Sequence, residues 1–176
     1  MQRSIFFPQG LLALVIVMAA MPALAAQDAP AGAATPAEPS TAQAPAAPAG
    51  YDAALAEQLG ADEYGMRRYV LVILKTGPTP LPKGEARDAM FKGHFENMNR
   101  LAEAGKLVLA GPLDGVDGRR GIFILDTADL DEARALVATD PVIANGEMTA
   151  DFHAYFGSAA LKQVNGIHAR IARTPL

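Results

Sequence analysis

The longest helical pattern in the chain runs from about Glu85 to Ala104. At about 100° per residue, Met90, Phe91, His94, Phe95, Met98, Leu101, Ala102 and Gly105 share one arc of roughly 140°, and Lys92, Glu96, Asn99, Arg100 and Glu103 lie opposite. His94 thus occupies a position in the apolar stripe where a leucine would be ordinary, and it faces whatever the helix covers. Gly105 is placed as the C-cap.

Strand patterns lie on either side. Tyr69 to Leu74 is an unbroken run of β-formers, suited to a central strand buried on both faces. It is stopped by Thr76 to Pro82, whose prolines fit neither a ladder nor a helix interior. Leu107 to Ala110 reads as a second strand, closed by Gly111-Pro112, and Ile122 to Leu125 as a third, joined to it by the turn-rich Leu113 to Gly118. A second helix follows Asp129, with Glu132 at capping-box spacing, and ends before Pro141, which drives Asp140 towards an extended conformation. After Asn145-Gly146, the stretch Glu147 to Phe156 alternates: Ala150, Phe152, Ala154 and Phe156 share one face, and Asp151, His153 and Tyr155 the other.

The order strand, helix, strand, strand, helix, strand over roughly ninety residues is the α+β, ferredoxin-like βαββαβ arrangement, an antiparallel sheet with both helices on one face. The other face is left bare, so dimerisation through it, in the manner of a dimeric α/β barrel, is expected. Residues 157–176 read as a C-terminal helical extension, capped by Ser158 and striped by Leu161, Val164, His168 and Ile171.

The ends of the chain differ in composition. Residues 1–25 have the form of a signal peptide: Arg3, the apolar run Leu11 to Ala20, and Ala23-Leu24-Ala25 as a small-x-small cleavage site, with cleavage expected after Ala25 or Ala26. That run is too short to cross about 30 Å of hydrocarbon, and a chain without cysteine cannot carry a lipidated one. The mature protein is therefore expected in the periplasm or secreted, with no membrane attachment. Residues 26–65 read as a disordered tether, almost wholly Ala, Pro, Gly, Thr, Ser and Gln up to Gly50, with a possible short helix over Asp52 to Leu59 ended by Gly60. The folded domain is then 66–156. A formal charge of -4 argues against nucleic acid as a partner.

Candidate chemistry centres on His94. Arg87, seven residues earlier on the same helical face, is placed either to clamp an anionic substrate group or to sit solvated in the first turn. Asn97 borders the histidine and either orients a ligand or lies at the surface. Gly111 and Pro112 are read as pocket wall, and Asp140 alone as a turn residue bonded to backbone N–H groups. His153 and His168 lie on other elements without zinc-type spacing, so no metal is expected. No glycine-rich phosphate loop or serine elbow is present, and no cofactor is called for.

A helix histidine, a strand ending in Ala110-Gly111-Pro112-Leu113, and Asp140-Pro141 followed by Gly146 occur in order between about Met66 and Phe156. In these features the chain resembles the YCII-related (YciI-like) domain family. The resemblance implies a ferredoxin-like fold, dimers formed by sheet packing, and an active site pairing His94 with Asp140. It implies further that some relatives act as dehydrochlorinases or similar lyases. A carboxylate that fixes an imidazole's tautomer leaves the other ring nitrogen free to take a proton. Two readings follow: a cofactor-independent lyase or isomerase acting on a small molecule through His94 and Asp140, or a non-catalytic periplasmic module that binds a small ligand or a protein.

Overall fold

The computed structural model describes residues 47–174. The signal peptide and most of the tether expected from the sequence lie outside the described residues. Within them, the short helix α1 (Ala53–Leu59) forms, with the Asp52 carboxylate accepting from the Leu55 N–H and Gly60 closing it at φ 64°. α1 is fastened to the body that follows: Leu59 is buried, and its carbonyl accepts from Arg67 Nη1 at 2.6 Å.

Four strands follow, β1 (Met66–Thr76), β2 (Leu107–Pro112), β3 (Arg119–Leu125) and β4 (Met148–Ser158), with the helix α2 (Glu85–Glu103) between β1 and β2. The helices α3 (Leu130–Ala138) and α4 (Pro141–Ala144) separate β3 from β4, and α5 (Val164–Ile171) ends the described chain. The sheet order is β2-β3-β1-β4 and every pairing is antiparallel. This is the ferredoxin-like arrangement that the element order predicts.

β1 is central, as its composition requires, but its faces are unequally buried. Val70, Val72 and Leu74 are buried in the core beneath the helices, each such side chain contributing about 1.5–3 kcal/mol. On the other face Tyr69 is buried while Leu71 and Ile73 are only half covered. That face is not wholly bare: a 3₁₀ turn over Ala159–Gln163 follows β4, and Leu161 packs on the cluster of Tyr69, Val108 and Ile124. The C-terminal extension is thus a 3₁₀ turn capped by Ser158 and then α5, rather than one continuous helix. Only its first part is packed, since Ile171 is exposed.

Three local readings are refined. α2 ends at Ala104 in a right-handed cap, and Gly105 sits one residue beyond at φ 69°, where Lys106 N–H reaches back to the Leu101 carbonyl. β2 continues through Gly111-Pro112 instead of stopping there, because β2 is an edge strand and a proline without an N–H is tolerated at an edge. Asp129 caps α3 by accepting from Asp131 and Glu132, yet the reciprocal bond of a capping box is replaced: Thr127 Oγ1 accepts from Asp129 N–H and donates to Glu132 at 2.6 Å.

The proline-rich segment after β1 is held against the turn that precedes β4. Gly77 N–H donates to the Glu147 carbonyl, Thr79 N–H to the Gly146 carbonyl and Thr79 Oγ1 to the Asn145 carbonyl. Gly146 adopts φ 72°, and a Cβ there would collide with Thr79 Oγ1. Gly146→Ala combines that clash with an unfavourable backbone region, so a loss of about 1–3 kcal/mol is expected in urea unfolding. An unchanged midpoint would show that the two segments do not pack as described.

Candidate functional site

His94 lies midway along α2 on the buried line of Met90, Asn97 and Leu101. Phe95, which the helical arc also included, is 51% exposed because it lies at the edge of the stripe. Opposite His94, α3 ends and α4 begins at once with Pro141. Asp140 between them is extended at φ -81° and ψ 126°, the conformation a following proline favours. Its carboxylate is fully buried and is divided between two tasks: Oδ1 accepts from Val142 N–H at 3.1 Å, capping α4, and Oδ2 lies 2.7 Å from His94 Nδ1.

Close approach of the two elements depends on Gly93. A Cβ there would stand 3.1 Å from Pro141 Cγ, so the missing side chain lets α4 settle against α2. Asn97, one turn after His94, places Nδ2 3.5 Å from Asp140 Oδ2. Its Oδ1 accepts from Arg100 Nη2 at 2.6 Å and lies 3.0 Å from Thr139 Oγ1. Asn97 is therefore buried support for the carboxylate, neither a surface residue nor part of the cavity wall.

An ionised carboxylate only accepts, so a neutral imidazole beside one carries its proton on Nδ1 and keeps a lone pair on Nε2. Among the described residues Nε2 has no hydrogen-bond partner. The ring borders a cavity of about 260 Å³, walled by Leu74, Phe91, Phe95, Met98, Phe123 and Met148 and by Gly111, Pro112, Gly121 and Arg120. It stacks on Phe123, with centroids 6.1 Å apart and planes inclined by 24°, and meets Phe91 edge-on. A larger hollow of about 580 Å³ lies between α2, β2 and α5, and His168 and Glu103 are among its lining residues. Neither side chain there takes part in a carboxylate–imidazole contact, so the one such pair among the described residues borders the smaller cavity.

Residues 68–150 match the family model of the YCII-related domain. The chain carries a YCII-related domain. None of the curated proteins matches it. The YCII-related domain holds both members of the His94–Asp140 pair and every residue that walls the cavity. The C-terminal 3₁₀ turn and α5 lie beyond it.

Within the YCII-related domain the residues singled out from the sequence separate into two sets. His94, Gly111 and Pro112 line the cavity, and Asp140 and Asn97 stand behind the histidine. Arg87 does not reach it. Its guanidinium lies 4.6 Å from the centroid of the Phe91 ring and donates to Glu147 Oε1 at 2.7 Å. Glu147 is not distinguished by the sequence, where it stands only as the first residue of an alternating strand, yet it is fully buried. Its other oxygen accepts from Leu81 N–H at 2.7 Å. Arg120 and Phe123, in the cavity wall, were also not anticipated. Phe123 is legible only as an apolar strand residue, and Arg120 sits in what reads as a polar connection. Among the described residues no group of three or more His, Asp or Glu is arranged to hold a metal ion.

Burial pushes the Glu147 carboxyl up, but the Leu81 N–H, the Arg87 guanidinium and the more distant charge of Arg120 outweigh it and hold the group below its ordinary value of 4.5. Such a depressed group adds stability that is present above the unfolded-state value and is lost as pH falls through the lower folded-state value. Glu147→Gln is accordingly expected to lose about 1–3 kcal/mol at pH 7, through a weakened bond to Leu81 and an uncompensated Arg87. The gap from wild type should narrow as the pH of the denaturation series falls below 4.5. A gap that stays constant with pH would contradict this account.

Proposed function

We propose that the protein is a cofactor-independent lyase or isomerase, of the dehydrochlorinase-like kind, in which His94 is the general base. The observation that carries this reading is the 2.7 Å contact of His94 Nδ1 with the buried Asp140 carboxylate, in a ring that also borders an apolar cavity. A proton acidified by an adjacent carbonyl or ring hydroxyl passes to Nε2, and the C–H electron pair forms a double bond. In elimination a leaving group departs from the neighbouring carbon with its bonding electrons. In isomerisation His94 returns the proton to a different carbon. Asp140 holds the tautomer and stabilises the imidazolium that forms, which supports a general-base contribution of about 10²–10⁴-fold.

The reading is tested by the ¹⁵N chemical shifts and long-range couplings of the His94 ring. The Nδ1–H tautomer is expected in the wild type, with a shift towards Nε2–H in Asp140→Asn. A wild-type ring protonated on Nε2 alone, or one indifferent to Asp140→Asn, would sink the mechanism. With a turned-over compound in hand, His94→Ala should keep affinity and lose turnover by the factor above. If binding persists and no compound is turned over by the wild type, the site is a recognition module instead.

We infer also that the mature protein is exported and self-associates through the uncovered part of the sheet. The first rests on the charged, apolar and small-residue order of positions 1–25, the second on half-buried Leu71 and Ile73 beside the covered cluster. Protein recovered from the periplasm or medium should have an intact mass beginning at Ala26 or Gln27 and should sediment as a dimer. A mass retaining Met1, or a monomer at micromolar concentration, would reject the corresponding part.

A further inference from the structure

The cavity has one cationic side chain in its wall, and a break in the sheet puts it there. β1 and β3 pair regularly from Val70 opposite Leu125 to Leu74 opposite Gly121, and then the register slips so that Lys75 faces Arg119. The residue passed over is Arg120. Strict alternation would send Arg120 to the face that Ile124 shares with Tyr69 and Val108. The bulge re-aims it, so that it lines the cavity beside Gly121 and Phe123 on the helix side of the sheet.

Arg120 is also available. Among the described residues its guanidinium makes no hydrogen bond and no ion pair, whereas Arg87, Arg100 and Arg134 on the helices each have a side-chain partner. Glu147 is near enough to feel its charge but takes its hydrogen bonds from Leu81 and Arg87. The other lining side chains are apolar apart from His94. A half-buried cation set in such a wall is strongly favoured by an anionic oxygen group that replaces its lost water, and a planar guanidinium receives a carboxylate through two parallel bonds. A cavity of about 260 Å³ exceeds the roughly 150 Å³ that accommodates benzene and falls below the size of drug-scale sites.

We propose that Arg120 is the anion-binding residue of this site and that the ligand is a small compound, of one ring or comparable bulk, bearing a carboxylate. The carboxylate sits on Arg120, the apolar body lies against Phe91, Phe123 and Met148, and the acidic C–H is turned to His94 Nε2. This rests on the reading of the His94 cavity as the ligand site and adds the substrate class to it. The role considered for Arg87 from the sequence passes to Arg120, because Arg87 is engaged by a buried carboxylate.

Benzoate and phenylacetate, with their uncharged amides as controls, are suitable probes. They would be titrated into the full mature chain while the methyl signals of Met98 and Met148 and the Nε–H of Arg120 are followed by NMR. In the wild type at least one carboxylate should bind about tenfold or more tightly than its amide and move the Met148 methyl. Arg120→Gln should abolish that preference with amide affinity unchanged, and Arg120→Lys should retain part of it, which separates loss of charge from loss of fold. Equal binding of acid and amide, binding of none of the probes, or a preference that survives Arg120→Gln would each overturn the proposal. The His94 tautomer is read separately: a tautomer that depends on Asp140 alongside absent carboxylate preference defeats only the anion site. Carboxylate preference without that tautomer defeats only the acid–base mechanism.

Discussion

A carboxylate with no surface in water is unstable unless its hydrogen-bonding capacity is filled, and Asp140 meets that condition in a way that fixes much else. One oxygen starts α4 and the other receives the His94 ring, with Asn97 alongside. The same group therefore joins α2 to the α3–α4 junction and sets the direction of the imidazole. Two residues that do no chemistry make the contact possible: Pro141, which holds Asp140 extended, and Gly93, which leaves room for the proline ring. The histidine is held by a scaffold of backbone conformation and steric fit before any ligand arrives.

The sheet contributes the opposite wall. Phe123 of β3 stacks on the imidazole, while Gly111 and Gly121 keep that part of the wall low. Below it, Glu147 ties the Leu81 backbone and Arg87 into one buried network, so the proline-rich connection and the start of α2 are fixed relative to β4. The two buried carboxylates thus do different work. Asp140 orients an imidazole ring, and Glu147 fastens a loop.

The sequence displays the repeating features of this fold well. Periods of two and 3.6, the prolines, and the Asp129 cap locate β1, α2, α3 and β4, with α2 nearly to the residue and Tyr69 to Leu74 as the middle of the longer strand Met66–Thr76, and antiparallel order follows from them. His94 stands out because it interrupts an apolar stripe, and Asp140 because of the proline after it. Partners distant in sequence are not displayed. Nothing local to Glu147 tells that it meets Arg87, sixty residues earlier, instead of water. Likewise a slip of one residue between paired strands depends on both strands at once, so the face on which Arg120 emerges cannot be read from alternation along β3 alone.

The free edge of β2 has a consequence beyond the cavity. At one end its Leu107 carbonyl accepts from Asn165 of the C-terminal segment at 2.7 Å, and at the other Pro112 offers no N–H. An extended chain arriving at this margin finds no uninterrupted row of donors and acceptors to pair with. The margin is thereby a poor template for the lateral addition of a further strand.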